Sequence, residues 1–476
     1  MSVHEALLSA VGAAGLLLPP RDLRRYEVGP NRREGRAAAV IRPRTVEEVR
    51  AVLAICQEHR LRIVPQGANS GLVGSGLPDL TGTQAVLSTE RLRDRWEVDE
   101  DGRVLTASAG WTLDEINERL AGSGLRLPIE VGSSPSVGGM VSTNTAGSTV
   151  LRHGDVRRRL LGVQAVVADP ERSVIDTLAP LRKQNEGFDV SQLFIGTEGA
   201  YGVVTAATFE LAVEPTSRAA AWLAIPDPAR LPEVLREFER RVGDWLTAFE
   251  LASPIAVRLL AEPYAHLLRR VPSRNHDVVL VEVGATDHTA EERLLAVLES
   301  LTGTGAVADV IVGDPASLWE VRHTIPLITE QMTPVISFDV STSRGALTAL
   351  RAALAAKLAR AHPEITPIEL GHYGDGGLHL ILPLPRSQAG DTEDLRRLVL
   401  DTVVHEFGGS FSAEHGIGPK NADVYARYVP TPIRDIAQSL KHRLDPHDIL
   451  GWRSSPTTRT SQAPPRTHSP ADTSSG

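Results

Sequence analysis

Apolar positions along the chain change their spacing several times, and each change marks an element. Residues 37–43 form a short apolar run and predict a strand. Thr45 with Glu48 three residues on reads as a capping box, and Val49, Val52, Leu53 and Cys56 recur behind it at helical spacing. A further run at 62–65 completes a β-α-β opening, and a capped helix is expected over 112–120. From 219 to 414 strand-like runs (AAAWLAI, DVVLVEVGA, AVADVIV, PVISFDV, PIEL) alternate with helical ones (ARLPEVLREFERRV, TAEERLLAVLESL, ALTALRAALAAKLARA, TEDLRRLVLDTVVHEF). That texture predicts an α+β domain whose helices cover one face of a sheet, with a boundary near 215. A last helical stretch over 423–444 leads into LDPHDIL. Beyond Trp452 the chain is rich in Ser, Thr and Pro and nearly free of apolar residues, so 454–476 is expected to be a disordered tail.

Glycine-rich loops interrupt the first half. PQGANSGLVGSGLP, from Pro65 to Pro78, carries Gly67, Gly71, Gly74 and Gly76 after a strand. Small residues leave successive amide N–H groups free and let backbone approach anionic oxygens closely. The loop is neither a Walker sequence nor G-x-G-x-x-G, so by itself it reads equally as an anion cradle and as a plain surface loop. GSSPSVGGMVSTNTAGS, from Gly132 to Ser148, repeats the texture and adds Ser136, Ser142, Thr143 and Asn144 as neutral donors. FIGTEGAYGVVTAATFEL, from Phe194 to Leu211, passes a bend at Gly196, Gly199 and Gly202 into an alternating strand. Three such loops in one half of a chain imply a large phosphate-containing cofactor.

Composition narrows the class. A chain of 476 residues with 42% hydrophobic content can bury two or three cores. Its net charge of −9 and interspersed arginines and acids give no basic footprint for nucleic acid. Cys56 is the sole cysteine, which excludes internal disulfides and iron–sulfur ligation by this chain alone, and its place on an apolar helix face suits a core residue. The opening residues lack a basic segment ahead of the apolar run, and no stretch is long enough to span a bilayer, so a cytoplasmic protein is expected, with a peripheral membrane association left open. Lysine occurs only at 183, 357, 420 and 441.

Histidine and glutamate concentrate in the second half. GHYGDGGLHLILP, Gly371 to Pro383, sets His372 and His379 on either side of a glycine-rich turn, with His379, Ile381 and Pro383 alternating along the emerging strand. GGSFSAEHGIG, Gly408 to Gly418, adds Glu414 and His415. Two imidazoles and a carboxylate are the ligand number of a catalytic divalent metal that keeps one position open.

With these pieces in order, residues 35 to about 450 resemble the flavin-linked D-2-hydroxy acid dehydrogenases of the vanillyl-alcohol oxidase superfamily, a group that includes D-2-hydroxyglutarate and D-lactate dehydrogenases and the flavin subunit of glycolate oxidase. The resemblance is carried by VPQGANSGLVG, PSVGGMVSTNTAGS followed by RHGDVRRRLLGVQAVVAD, FIGTEGAYGVVT, WEVRHTIP, GHYGDGGLHL and GGSFSAEHGIG. It implies an α+β chain with a two-subdomain PCMH-type FAD-binding domain over 1–215. A substrate domain over 216–422 would follow, an antiparallel sheet covered by helices, and a C-terminal helical segment over 423–453 would return to the FAD domain. FAD contacts would come from Pro65, Gly67, Ala68, Asn69, Ser70, Gly71 and Leu72 in the first loop. The second loop would contribute Pro135, Gly138, Gly139, Thr143, Asn144, Ala146 and Gly147, and the third Glu198, Gly199, Gly202, Val203 and Val204. Members that attach flavin covalently through the first loop use a histidine there, and this loop has none, so dissociable FAD is expected. The resemblance further implies that His372, His379 and Glu414 ligate a divalent metal, zinc by analogy, that His415 is the general base, and that Arg322 grips the substrate carboxylate.

Departures from the family pattern bear on the substrate. Ser337 stands where the 2-hydroxyglutarate enzymes have lysine, Pro326 where they have threonine, and Gly377 and Ile381 where they have asparagine; LDPHDILGWR lacks their Asn-Pro-Gly-Lys. A monocarboxylic or more apolar D-2-hydroxy acid is therefore expected, oxidised to the 2-oxo acid with electrons passed to a separate quinone, electron-transfer flavoprotein or cytochrome. A homodimer is implied by the family. Rival readings are an oxidase using oxygen, a zinc hydrolase, and a flavin-binding homologue without activity.

Overall fold

The β-α-β opening forms as strand Ala37–Ile41, helix Val46–His59 and strand Ile63–Gln66. The structure, a computed structural model, describes residues 1–332, 334–385 and 392–452, so the tail expected over 454–476 lies outside it. Thr45 caps the helix by accepting from the Glu48 amide, but the Glu48 carboxylate reaches the Arg44 amide at 2.7 Å, so the box closes one residue early. The two strands of the opening are not neighbours: Gln84–Ser88 lies parallel between them, and Leu16–Leu17 completes the first sheet. Cys56 is buried in the core beneath it, where burial pushes the thiol up to about 12.

A second, antiparallel sheet orders Trp96–Asp99, Val104–Ser108, Val203–Glu210, Leu160–Val166 and Val174–Asp176. Helix Leu113–Leu120, opened by a Thr112/Glu115 capping box, packs Leu113, Ile116 and Leu120 against Leu105, Ala107 and Val163 of this sheet.

From Ser217 onward the chain builds a seven-stranded sheet in which every pairing is antiparallel. Its order is Asp309–Gly313, Ser217–Ile225, Asp277–Ala285, Leu246–Ala252, Ile368–Gly371, Gly377–Pro383 and Val335–Ser341. Leu223, Phe249, Val281 and Leu380 face helices Leu231–Val242, Ala290–Thr302 and Leu347–Ala361. Trp222, Ala248, Leu280 and Ile381 face helix Pro315–Gln331 and the short helix Pro254–Arg258. The expectation of helices on one face is thus corrected. AAAWLAI is apolar at successive positions rather than alternate ones, the composition of a strand buried on both sides.

The stretch expected to be helical over 423–444 divides into Ala422–Tyr428 and Thr431–Leu444. Pro430 lacks an amide and disfavours helix at the residue before it, and Val429 is extended. Beyond the second helix Ile449 and Leu450 enter the core of the first sheet, and the Ile63 amide donates to the Ile449 carbonyl at 2.8 Å. Among the described residues no helix is long and apolar enough to cross a membrane.

Candidate active site

The glycine-rich loops close into one crib. The Gly196 and Glu198 amides of the third loop donate to the Val141 and Ser142 carbonyls of the second at 3.1 and 2.7 Å. Gly67 of the first loop abuts Ser136 and Gly139, and Gly199, at φ +77°, leaves room for the Pro65 ring. A side chain at any of these contacts would push the loops apart, which is why glycine stands there. At Gly147 a Cβ would collide with backbone, the Glu130 carbonyl oxygen. Gly147→Ala is accordingly expected to cost about 1–3 kcal/mol, read as a lower urea midpoint and easier loss of cofactor.

The second half assembles a cluster beside this crib. Asp339 and His379 are cross-strand partners and so share a sheet face. Glu250 points the same way as Ala248 and Ala252, onto the face covered by helix Pro315–Gln331. In the turn after Gly371 the amides of Asp375 and Gly377 donate to the His372 carbonyl at 3.2 and 3.0 Å, and Gly376 takes φ +97°. This returns His372 to within 5.3 Å of His379, ring centre to ring centre. Asp339 Oδ2 accepts the amides of Glu414 and His415 at 2.9 and 2.8 Å, which fixes the second His/Glu segment over the strand.

Three imidazoles now face one carboxylate oxygen. Nε2 of His372, His379 and His415 lie 3.5, 3.4 and 3.6 Å from Glu414 Oε1. Their Nδ1 atoms face buried carboxylates, His372 toward Glu250 at 2.8 Å and His379 and His415 toward Asp339 at 3.5 Å each. A carboxylate behind an imidazole fixes the ring and raises the basicity of its outer nitrogen. Ligands each about 2.1 Å from a shared tetrahedral cation stand roughly 3.4 Å apart, the spacing found here. Asp339 Oδ1 is buried without a hydrogen-bond partner, and one ligand atom each from Asp339, His379, Glu414 and His415 lie within 4.8 Å of one another. The donor set of imidazoles and a carboxylate fits a divalent metal such as zinc.

The electrostatics follow from burial opposed by close pairing. Burial works against the charge on Glu250, but His372 and Arg322 outweigh it and hold the carboxyl at about 2. Burial likewise opposes a charged His372, and Glu250 and Glu414 override it and raise its pKa well above the usual value. Glu414 is held well below the carboxylate range by His372 and His379, against burial. His415 is lowered, first by burial and then by His379, with Asp339 opposing. Burial lifts Asp375 to about 6, with the His372 charge acting against it.

Residues 37–174 match the FAD binding domain family, and residues 214–452 match the family of FAD linked oxidases, C-terminal domain. The chain belongs to the FAD-linked oxidases. It is 33% identical to the mitochondrial D-2-hydroxyglutarate dehydrogenase of Bos taurus over 87% of this chain and 76% of that one. It is 31% identical to the D-2-hydroxyglutarate dehydrogenase of Xanthomonas citri pv. viticola over 94% and 95%. The structure of p-cresol methylhydroxylase with substrate bound covers 94% of this chain and 95% of its own with a TM-score of 0.71 at 16% identity, a likeness of fold.

In this FAD-linked oxidase the cofactor contacts expected from sequence take different positions in the crib. Ala68 and Gly71 are exposed, Pro65, Gly67, Asn69, Ser70 and Leu72 partly so. Asn69, at φ +56°, donates its amide to the Val28 carbonyl at 3.0 Å. In the second loop Gly139, Thr143, Asn144 and Ala146 are half-buried, while Pro135, Gly138 and Gly147 are buried. Asn144 donates to Asp155 and accepts from the Arg157 amide, and Thr143 bonds the Gly139 carbonyl. In the third loop Gly199 and Gly202 hold the bend, whereas the side chains of Val203 and Val204 lie in the cores on either side of the strand. Glu198 turns away from the other loops: its oxygens accept from the Ile417 and Gly418 amides and from Trp452 Nε1, at 2.7 to 3.1 Å. It ties the flavin domain to the segment that carries His415. Arg322 is buried and gives its Nε to Glu250 at 2.9 Å.

Glu250 and Asp339 were not singled out by the motifs. The signal was nevertheless present: each is the lone charged residue of its strand, LTAFELA and PVISFDVS, and such a group is buried only with partners.

Proposed function

We propose that this FAD-linked oxidase oxidises a D-2-hydroxy acid to the 2-oxo acid at a metal site built by His372, His379 and Glu414. The convergence of three Nε2 atoms on Glu414 Oε1, each ring backed by a carboxylate, carries the reading. The D-2-hydroxyglutarate dehydrogenases named above, at 31–33% identity over most of the chain, support the substrate class. Bound FAD would supply the hydride acceptor for C2, and a metal held by His372, His379 and Glu414 would lower the pKa of the C2 hydroxyl.

The chain's own residues do the rest. His415 receives the hydroxyl proton at Nε2 while Asp339 holds its Nδ1 side, and its lowered pKa keeps it neutral near pH 7. Arg322 makes no hydrogen bond with its terminal nitrogens among the described residues, which leaves them for the substrate carboxylate. FAD is held without a covalent bond, since residues 65–72 contain no histidine. A separate acceptor would then take up the two electrons. Family membership gives the glycine loops a ligand, for which a zinc hydrolase has no use.

Anaerobic mixing with D-2-hydroxy acids is expected to bleach the flavin, and their L-enantiomers to leave it yellow. Prolonged dialysis against a chelator is expected to slow bleaching by at least about tenfold, with recovery on adding zinc. Equal rates before and after complete metal removal would rule out the role given to His372, His379 and Glu414.

A further inference from the structure

Residues 414–418 hang between two buried carboxylates, one from the large sheet and one from the third glycine loop. Asp339 Oδ2 accepts from the amides of Glu414 and His415, at 2.9 and 2.8 Å. Glu198 Oε1 accepts from the Ile417 amide at 2.9 Å, and its two oxygens share the Gly418 amide at 3.1 and 3.0 Å. Trp452 Nε1 donates to the same carboxylate at 2.7 Å. Glu198 is only 7% exposed, and among the described residues no cation pairs with it. A carboxylate buried without a cation is stabilised by the N–H groups it holds, and two of these are backbone amides beside the Glu-His pair. Gly416, at φ +91°, lets the chain come this close, since a Cβ on it would collide with Glu198 Oε1. Glu198 itself stands at φ +55°, where a side chain is strained and glycine is not, and its own amide is fixed on the Ser142 carbonyl at 2.7 Å. The third loop thus carries this carboxylate on a backbone anchored to the second.

We propose that Glu198 is a positioning residue for Glu414 and His415, through which the glycine crib sets where the second His/Glu segment stands over the sheet. It acts through the amides of Ile417 and Gly418, not on the reacting atoms. The inference rests on the dehydrogenase reading above and deepens it. Glu414 Oε1 must meet three Nε2 atoms at 3.4 to 3.6 Å, yet residues 411–417 belong to no helix or strand. His379 is placed by the register of the sheet, whereas Glu414 and His415 depend on the carboxylates at either end of their segment. A shift at 417 and 418 therefore passes to ligand and base, and a misplacement of about 1 Å at a reacting group can cost about 10²-fold in rate. The sequence motif places Glu198 among the flavin contacts; with both oxygens engaged on residues 417, 418 and 452 it serves the metal and base instead.

The test uses the flavin-loaded enzyme as wild type, Glu198→Ala and Glu198→Gln. Zinc affinity is read by competition with a chromophoric chelator, and the rate by anaerobic flavin reduction with D-lactate and D-2-hydroxyglutarate at saturating zinc. Glu198→Ala is expected to weaken zinc binding about 10–100-fold, as removal of a group that supports a ligand does. At saturating zinc it lowers the limiting rate at least about tenfold and leaves the half-saturating acid concentration within about threefold, because Arg322 is untouched. Glu198→Gln keeps the volume and one acceptor oxygen but turns an NH2 toward a donor, and weakens zinc binding about three- to tenfold. It decides the matter alone should Glu198→Ala fail to fold. Flavin content after gel filtration stays as in wild type in both, since the bond to Ser142 comes from the backbone amide. Zinc affinity and limiting rate within about twofold of wild type in the variants that fold would overturn the proposal and leave the dehydrogenase reading standing. So would losses that appear only in step with lost flavin, which would make Glu198 a cofactor contact. A wild type that neither binds zinc nor is bleached by either acid removes the dehydrogenase reading, and the proposal with it.

Discussion

Replacing His415 by alanine lowers the rate of flavin reduction by a D-2-hydroxy acid by about 10²–10⁴-fold, the contribution of a positioned general base. The loss belongs to chemistry rather than folding. The bonds that hold this segment to Asp339 run from the backbone amides of Glu414 and His415, and alanine keeps both. The glycine loops are untouched, so the flavin spectrum and its retention on gel filtration stay as in wild type. Metal content separates the possible roles: zinc retained at one per chain marks His415 as base, and zinc lost marks it as a ligand. The pH profile gives a second readout. A base acts when neutral, and burial sets His415 below its ordinary value, so kcat/KM rises through a limb centred below about 6.5 and then levels. In His415→Ala that limb is absent.

Glu250→Ala is expected to destabilise the protein by about 3–5 kcal/mol in urea unfolding at pH 7, the cost of removing one partner from a buried ion pair. Arg322 and His372 both depend on it, at 2.9 and 2.8 Å, and Arg322 is only 6% exposed. Glu250→Gln keeps the volume and one acceptor, and is expected to lose less. The pH dependence has a definite sign. A carboxyl held at about 2 when folded, against about 4.3 in an unfolded chain, contributes stability above the unfolded value that is lost as pH falls through the folded one. Wild type therefore loses stability between about pH 4.3 and 2 through this group, and Glu250→Ala lacks that share of the loss. Because His372 is oriented through Glu250, metal affinity also drops by about 10–100-fold. A Glu250→Ala protein within about 0.5 kcal/mol of wild type, the range of ordinary surface substitutions, would show that the buried pairing carries no stability.

The sequence by itself determined the pieces whose causes are local. Thr112 with Glu115 starts a helix and His379 follows a glycine turn into a strand, because caps and glycine turns act within a few residues. The break at Pro430 has a local cause as well, but apolar spacing predicted one helix over 423–444 and only the structure divided it. The glycine loops and the His372, His379, Glu414 and His415 motifs were legible for the same reason, and with them the class of cofactor. Tertiary structure alone decided which side chains meet. Gln84–Ser88 slips between the two strands of the opening, and helices cover both faces of the large sheet. Residues 250, 339, 372, 379, 414 and 415 gather because antiparallel register sets Asp339 against His379 and turns Glu250 to the same face. Register and face depend on long-range packing of apolar surface, which no window of sequence contains. The position of Glu250 behind His372 is therefore a property of the assembled sheet.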